Sequence, residues 1–180
     1  DKSLSNINIV NISCRADGGF ISFIEEDEIA FAVTTYQGGK LMFIGWNGRQ
    51  VTLHARSFDH AMGIDVDDER LLLATQKEII VFSNAHLLAE DFDSANPGKY
   101  DALYLQRVTY HTGNLLVHDV ALSNDNYYFI NTRFSCIAKV QNNYNFDVVW
   151  SPHFITENTP EDRCHLNGLA CNDGTLRTVT

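Results

Sequence analysis

No stretch of about 18 consecutive apolar residues occurs in the chain, so a membrane-crossing helix is not expected. The first residues, DKSLSNINIVNISC, hold neither a basic region nor an apolar core of the kind that directs secretion. They also carry no initiator Met, as they would if an upstream segment had been removed. Clustered basic charge is missing too. The 13 Lys and Arg residues are scattered among 23 Asp and Glu, the net charge is −10, and no basic run of five occurs. Binding a phosphate backbone needs clustered Lys and Arg, so a nucleic-acid partner is not expected. The acidic balance reads first as solubility, and second as a preference for cationic ligands or divalent metals. The four cysteines, Cys14, Cys136, Cys164 and Cys171, form no CxxC pair. Their even number permits disulfides without requiring them, and a chain of this length folds without staples. They read as reduced core thiols in a cytoplasmic protein. Asn11-Ile12-Ser13 matches a glycosylation sequon, a match that arises often by chance. P-loop, GxSxG, HExxH and Rossmann fingerprints are all absent, which sets those enzyme classes aside.

What is present is a repeat. Residues 117–132, VHDVALSNDNYYFINT, read as a short apolar strand, a polar turn and a second strand closing on Thr132. The same sentence returns in residues 62–75, MGIDVDDERLLLAT, in residues 167–180, NGLACNDGTLRTVT, and more loosely in residues 19–35, GFISFIEEDEIAFAVTT. These copies close on Thr75, Thr180 and Thr34-Thr35. The markers Gly19, Gly63, Asp119 and Gly168 recur at spacings of 44, 56 and 49 residues, close to the period of about 40 to 50 that gives each unit four strands.

Taken in order, residues 5–14 alternate as one strand, and residues 19–24, 29–35, 40–46 and 50–56 give four successive antiparallel strands. Asn47-Gly48 is the strongest two-residue hairpin signal. The second unit places strands at residues 63–66, 71–75, 78–82 and 102–110, with a short helix over residues 85–90 capped by Ser83-Asn84. The third runs from Leu116 through strands at residues 137–140 and 146–150. The turn acids Glu25 to Glu28 and Asp67 to Glu69 read as solvated hairpin turns. The expected fold is all-β, a β-propeller of four-stranded antiparallel blades in one domain. Its blade-like units are residues 19–56, 62–110, 116–150 and a truncated 165–180. That is about three and a half blades of an expected six or seven. An open stack would leave strand edges exposed. The chain is therefore expected to be a fragment, or to complete its ring by self-association.

Several motifs carry a resemblance: Ile12-Ser13-Cys14 with Gly18-Gly19-Phe20, TTYQGGKL from Thr34, HDVAL from His118, NTRFSCIA from Asn131 and HLNGLA from His165. The chain resembles an uncharacterised bacterial family of conserved hypothetical proteins with a propeller-like domain, over residues 12–180. The members of that family are longer, and no activity comes with the likeness. More distantly, Asn167-Gly168-Leu169-Ala170 followed by Asn172-Asp173-Gly174 is similar to a signature of gluconolactonase and senescence-marker propellers. His118-Asp119-Val120 is similar to inner-strand positions of the paraoxonase-type group. Those families imply a central divalent cation, calcium sooner than zinc, used in lactone or ester hydrolysis. Asn167 is the ligand position that carries over; the Glu and Asp ligands of those enzymes have no counterpart in these motifs.

The residues offer their own candidates. His60 and His165 each precede a marker Gly by three residues, in HAMG and HLNG, and His118 immediately precedes Asp119. In a propeller such positions ring the channel mouth. There imidazoles serve as metal ligands or bases, His165 or His60 being the base, or simply hydrogen-bond neighbouring blades. Asp119 and Asn167 offer oxygen ligands suited to calcium, alongside His118, or else bond local backbone. Arg133 and Arg163 read as a clamp for an anionic ligand or as blade-to-blade salt bridges. Cys164-His165 with Cys171 lacks a second Cys pair, so structural thiols are the better reading. Two functions follow. One is a binding module that presents its channel mouth, or loops 84–100 and 151–163, to a small molecule or protein partner. The other is a metal-dependent lactonase or esterase-like hydrolase. An apolar patch on those loops favours the first, and convergence of His118 and Asp119 on one point favours the second.

Overall fold

The computed structural model describes residues 14–123, 125–172 and 174–180. The strand expected over residues 5–14 falls outside them but for Cys14, and the Asn11 sequon lies outside them entirely. The chain is predominantly β, in four antiparallel sheets that follow one another along the sequence. The first holds β1 (Phe31–Thr35), β2 (Lys40–Trp46) and β3 (Val51–Ser57). The second holds β4 (Ile64–Val66), β5 (Arg70–Ala74), β6 (Glu78–Asn84) and β7 (Tyr104–His111). The third holds β8 (Val117–Ser123), β9 (Asn126–Asn131), β10 (Cys136–Lys139) and β11 (Asp147–Trp150). The fourth is the hairpin of β12 (Leu169–Asn172) and β13 (Thr175–Val179). In every sheet, sequential strands are neighbours, the pattern that short polar turns between apolar runs produce.

The first unit departs from expectation. Residues 19–24 are not a strand: they lie in helix α1 (Gly18–Asp27), so the first sheet has three strands. Asp17 caps that helix, its carboxylate accepting from the Phe20 N–H at 2.8 Å. Phe20, Ile21, Phe23 and Ile24 fall on one helical stripe, with Ile24 fully buried and the Phe20 and Phe23 rings against Phe31. Glu25, Glu26 and Asp27 form the last turn, and Glu28 ends the helix at a φ of 49°. The hairpin at Asn47-Gly48 is also longer than two residues. Trp46 pairs with Val51, and the Asn47 side chain accepts from the amides of Arg49 and Gln50 across the loop. The short helix expected near residue 85 is present as α2 (His86–Phe92).

The sheets pack face to face in chain order. Successive side chains on a strand point to opposite faces. Leu71, Leu73, Ile80 and Phe82 therefore meet Leu41 and Ala61 toward the first sheet. Leu72, Ala74, Ile79 and Val81 meet Val117, Val120, Phe129 and Ala138 toward the third. Ile130 and Ile137, on the opposite face of the third sheet, meet Leu166, Leu169 and Leu176 of the fourth unit. A sheet covered on both faces reads as an unbroken apolar run, which is why β5 and β6 spell LLLA and IIVF. Each fully buried Leu or Phe there contributes about 1.5 to 3 kcal/mol. The first strands stand side by side: β4 lies against β1 and β8, and β8 against β12. Gly63 permits this, because a Cβ there would sit 2.8 Å from the Asp119 Cα. Among the described residues, no helix is long and apolar enough to cross a membrane.

Candidate functional site

The first strands β4, β8 and β12 are led in by the same backbone device. His60, Leu116 and His165 adopt left-handed φ values of 52°, 54° and 46°. The next residues, Ala61, Val117 and Leu166, are then buried between sheets. Non-glycine residues enter that region at some cost, held there by the packing that follows. The two histidines of this set each face a carboxylate: His60 Nδ1 is 2.6 Å from Asp59 Oδ1, and His165 Nδ1 is 2.6 Å from Asp162 Oδ2. Such a contact fixes the ring and leaves Nε2 outward.

Along the first strands, two carboxylates repeat a different contact. Asp65 on β4 accepts from its neighbour Val66 N–H at 2.9 Å and from Leu122 N–H on β8 at 2.7 Å. Asp119 on β8 accepts from Val120 N–H at 2.9 Å and from Leu169 N–H on β12 at 3.0 Å. Each therefore bonds the amide one residue beyond its own equivalent in the next sheet. Burial holds the Asp119 carboxyl above its ordinary range, against the two amides that favour its charged form, and the charge of Asp65 adds to the rise. Hydroxyls add further ties between units. Thr34 donates to the Met62 carbonyl, Thr132 to the Leu166 carbonyl and Ser123 to the Gly174 carbonyl, each at 2.5 Å.

These three first strands wall a cleft of about 460 Å³. Its lining includes Asp65, Asp67, Asp119, Ala121, Ala170 and Cys171, and no Lys or Arg. Asp67 is not a freely solvated turn acid. It is half-buried and accepts from the amides of Glu69 and Arg70 and from the Arg70 guanidinium. Burial opposes its charge, yet those Arg70 contacts keep the carboxyl below its ordinary value.

The other candidates separate into different places. His118 and His165 come together, with ring centroids 5.0 Å apart, while His60 instead packs on Tyr36. His118 Nδ1 is buried without a hydrogen-bond partner among the described residues. Burial, then the neighbouring His165, lower its affinity for a proton, and Asp162 opposes them. Asn167 is exposed; its N–H closes the fourth hairpin on the Thr180 carbonyl at 2.7 Å. Arg133 lies in a 3-10 turn, Thr132–Phe134, whose backbone bonds Leu115 and Asp162, and its Nε is buried without a hydrogen-bond partner among the described residues. Arg163 is held by Glu161 at 2.8 Å inside its own loop, so it bridges no sheets; Arg70 to Asp125, at 3.2 Å, is an ion pair that does. Among the described residues, no group of three or more His, Cys, Asp or Glu side chains is placed to hold a metal. All four cysteines are free; Cys136 is buried, and burial followed by the nearby Cys164 pushes its thiol up to about 12. Cys14 is exposed, and so is not a core residue.

Loops 84–100 and 151–163 do not share a face. The first leaves the end of β6 that pairs with Arg70 at the far end of β5, whereas the second leads to the start of β12 beside Asp119. Sequence reasoning missed three residues: Asp65, Asp162 and Leu116. Counting back three from each marker finds Leu116, and counting on two from Gly63 finds Asp65. Asp162 lies in an irregular loop with no repeat to mark it.

The fold and cleft define a class: successive antiparallel sheets whose first strands are tied by side chains around a common groove. Residues 18–180 match the family described as Domain of unknown function (DUF4915), and the chain belongs to that family. This agrees with the likeness to an uncharacterised family. Neither a curated protein nor a solved structure matches the chain.

Proposed function

We propose that the sheets are blades of a β-propeller-type domain, and that the domain is a cytoplasmic binding module. Its ligand is a small polar molecule carrying a cationic group, such as an amine or guanidine. The observation that carries this reading is the cleft of about 460 Å³ where β4, β8 and β12 converge, with carboxylates and no basic side chain in its lining. The shared left-handed lead-ins at His60, Leu116 and His165 support blades as the repeating unit. Four free thiols support a reducing compartment. The metal-dependent hydrolase reading has less behind it, because among the described residues no group of three or more His, Cys, Asp or Glu side chains is placed to hold a metal, and Asn167 is exposed.

A library of small amines, guanidines, neutral polar molecules and carboxylates tests the binding reading by protein-observed NMR. Cationic members are expected to shift the amides of Val66, Ala121 and Ala170. Ala170 is exposed on the cleft wall, so Ala170→Trp should fill the cleft and abolish those shifts without unfolding the protein. Shifts that persist in Ala170→Trp, or that favour carboxylates, would overturn it.

A further inference from the structure

We propose that the outer face of α2 is a second binding surface, one that docks a basic amphipathic segment of a partner protein. Leu87, Leu88 and Phe92 are 79%, 59% and 63% exposed, and Ala89 is the one residue α2 buries. Leu88 and Phe92 stand one turn apart and so share a face. The Phe92 ring lies against Tyr100 at 5.9 Å, and Tyr100 against His54 at 5.6 Å, which extends the apolar surface onto β3.

A helix of seven residues does not hold itself together, and Ala85 supplies no side-chain cap. The surrounding loop holds it instead. Ala85 N–H donates to the Leu103 carbonyl, Gly98 N–H to the Glu90 carbonyl, and Leu103 N–H to the Asn84 side chain. The leucines are thus presented on a braced element, which lowers the ordering cost of binding.

The rim decides the occupant. Glu90, Asp91 and Asp101 are exposed beside the patch. Asp68 and Glu69 join them, since the Asn84 N–H donates to the Glu69 carbonyl and the Asn84 side-chain amide to the Asp68 carbonyl. Lys99, the single Lys or Arg between residues 84 and 101, is paired with Asp93 at 2.9 Å. The Tyr104 hydroxyl registers the same field: burial first, then Asp67, Asp101 and Asp68, hold its proton more tightly than usual. A second copy would bring the same acidic rim and a further net charge of −10, and an anionic membrane or nucleic acid would be repelled in the same way. A segment with an apolar stripe flanked by Lys and Arg meets both the leucines and the rim.

The test titrates the full-length protein with a helical peptide of Leu and Lys at amphipathic spacing, and with a counterpart in which Glu replaces every Lys. Calorimetry and amide exchange are read together. The Lys peptide should bind one to one, weaken as salt is raised, and protect residues 84–101; the Glu peptide should not bind. Leu87→Ser with Leu88→Ser leaves every charge in place and should weaken the Lys peptide by at least about ten-fold. Equal affinity in that variant would reduce the effect to general charge attraction and overturn the proposal. A fall in molecular mass on the double substitution would also overturn it, because it would mark a second copy as the occupant.

Discussion

The sheet β4–β7 and the hairpin β12–β13 begin from the same repeated sentence, yet they end in different environments. Leu71 to Ala74 and Ile79 to Phe82 are buried without exception, because a sheet lies against each face. In β12 and β13 half-buried and exposed residues mix, because among the described residues the third sheet alone covers them. The repeat therefore sets strand and turn, while the number of neighbouring sheets sets burial. The middle of the stack carries the stability, and the first-strand edge carries the polar ties that fix one sheet against the next.

The contrast can be broken from its strongest point downward. Phe82→Ala opens a cavity in the doubly covered sheet and should cost about 3 to 5 kcal/mol in urea unfolding. Leu176→Ala in the fourth unit should cost well under half of that; equal losses would erase the distinction. Gly63→Ala pushes a methyl group onto the Asp119 backbone, which has nowhere to move, and should cost about 1 to 3 kcal/mol. The Asp119 carboxyl sharpens the comparison through pH. Its folded-state proton affinity is raised above the unfolded one. Its contribution is therefore fully present below the ordinary carboxyl value and is lost as pH rises through the raised folded value. Stability measured across acid pH should thus fall with rising pH more in the wild type than in Asp119→Asn; parallel curves would contradict this.

Much of the strand order is legible in the sequence because the turns are chemically marked. Asp67 ties back its own turn, Asn47 does the same for the β2–β3 loop, and apolar runs of strand length lie between. Helix α1 is not legible as one, because Phe20-Ile21-Ser22-Phe23-Ile24 satisfies both a short buried strand and a helical stripe. The deciding cap, Asp17, sits outside the repeat. The site is legible in part. Equivalence of the markers groups His60 with His165, and the third member of that set is Leu116, since the property they share is backbone conformation and not imidazole chemistry. Asp119 stands out as a marker, whereas its counterpart Asp65 looks like one more acid ahead of an acidic turn. Only the neighbouring sheet, with the Leu122 amide facing it, reveals its role.

That role is the centre of the account, and amide exchange reads it directly. Leu122 and Leu169 each donate to a carboxylate of the preceding sheet. In the wild type both amides should exchange slowly. Of these two amides, Asp119→Ala should speed only Leu169, and Asp65→Ala should speed only Leu122. If neither substitution changes its amide, or if each speeds both equally, the first strands are not joined in this way, and the cleft between them loses its frame.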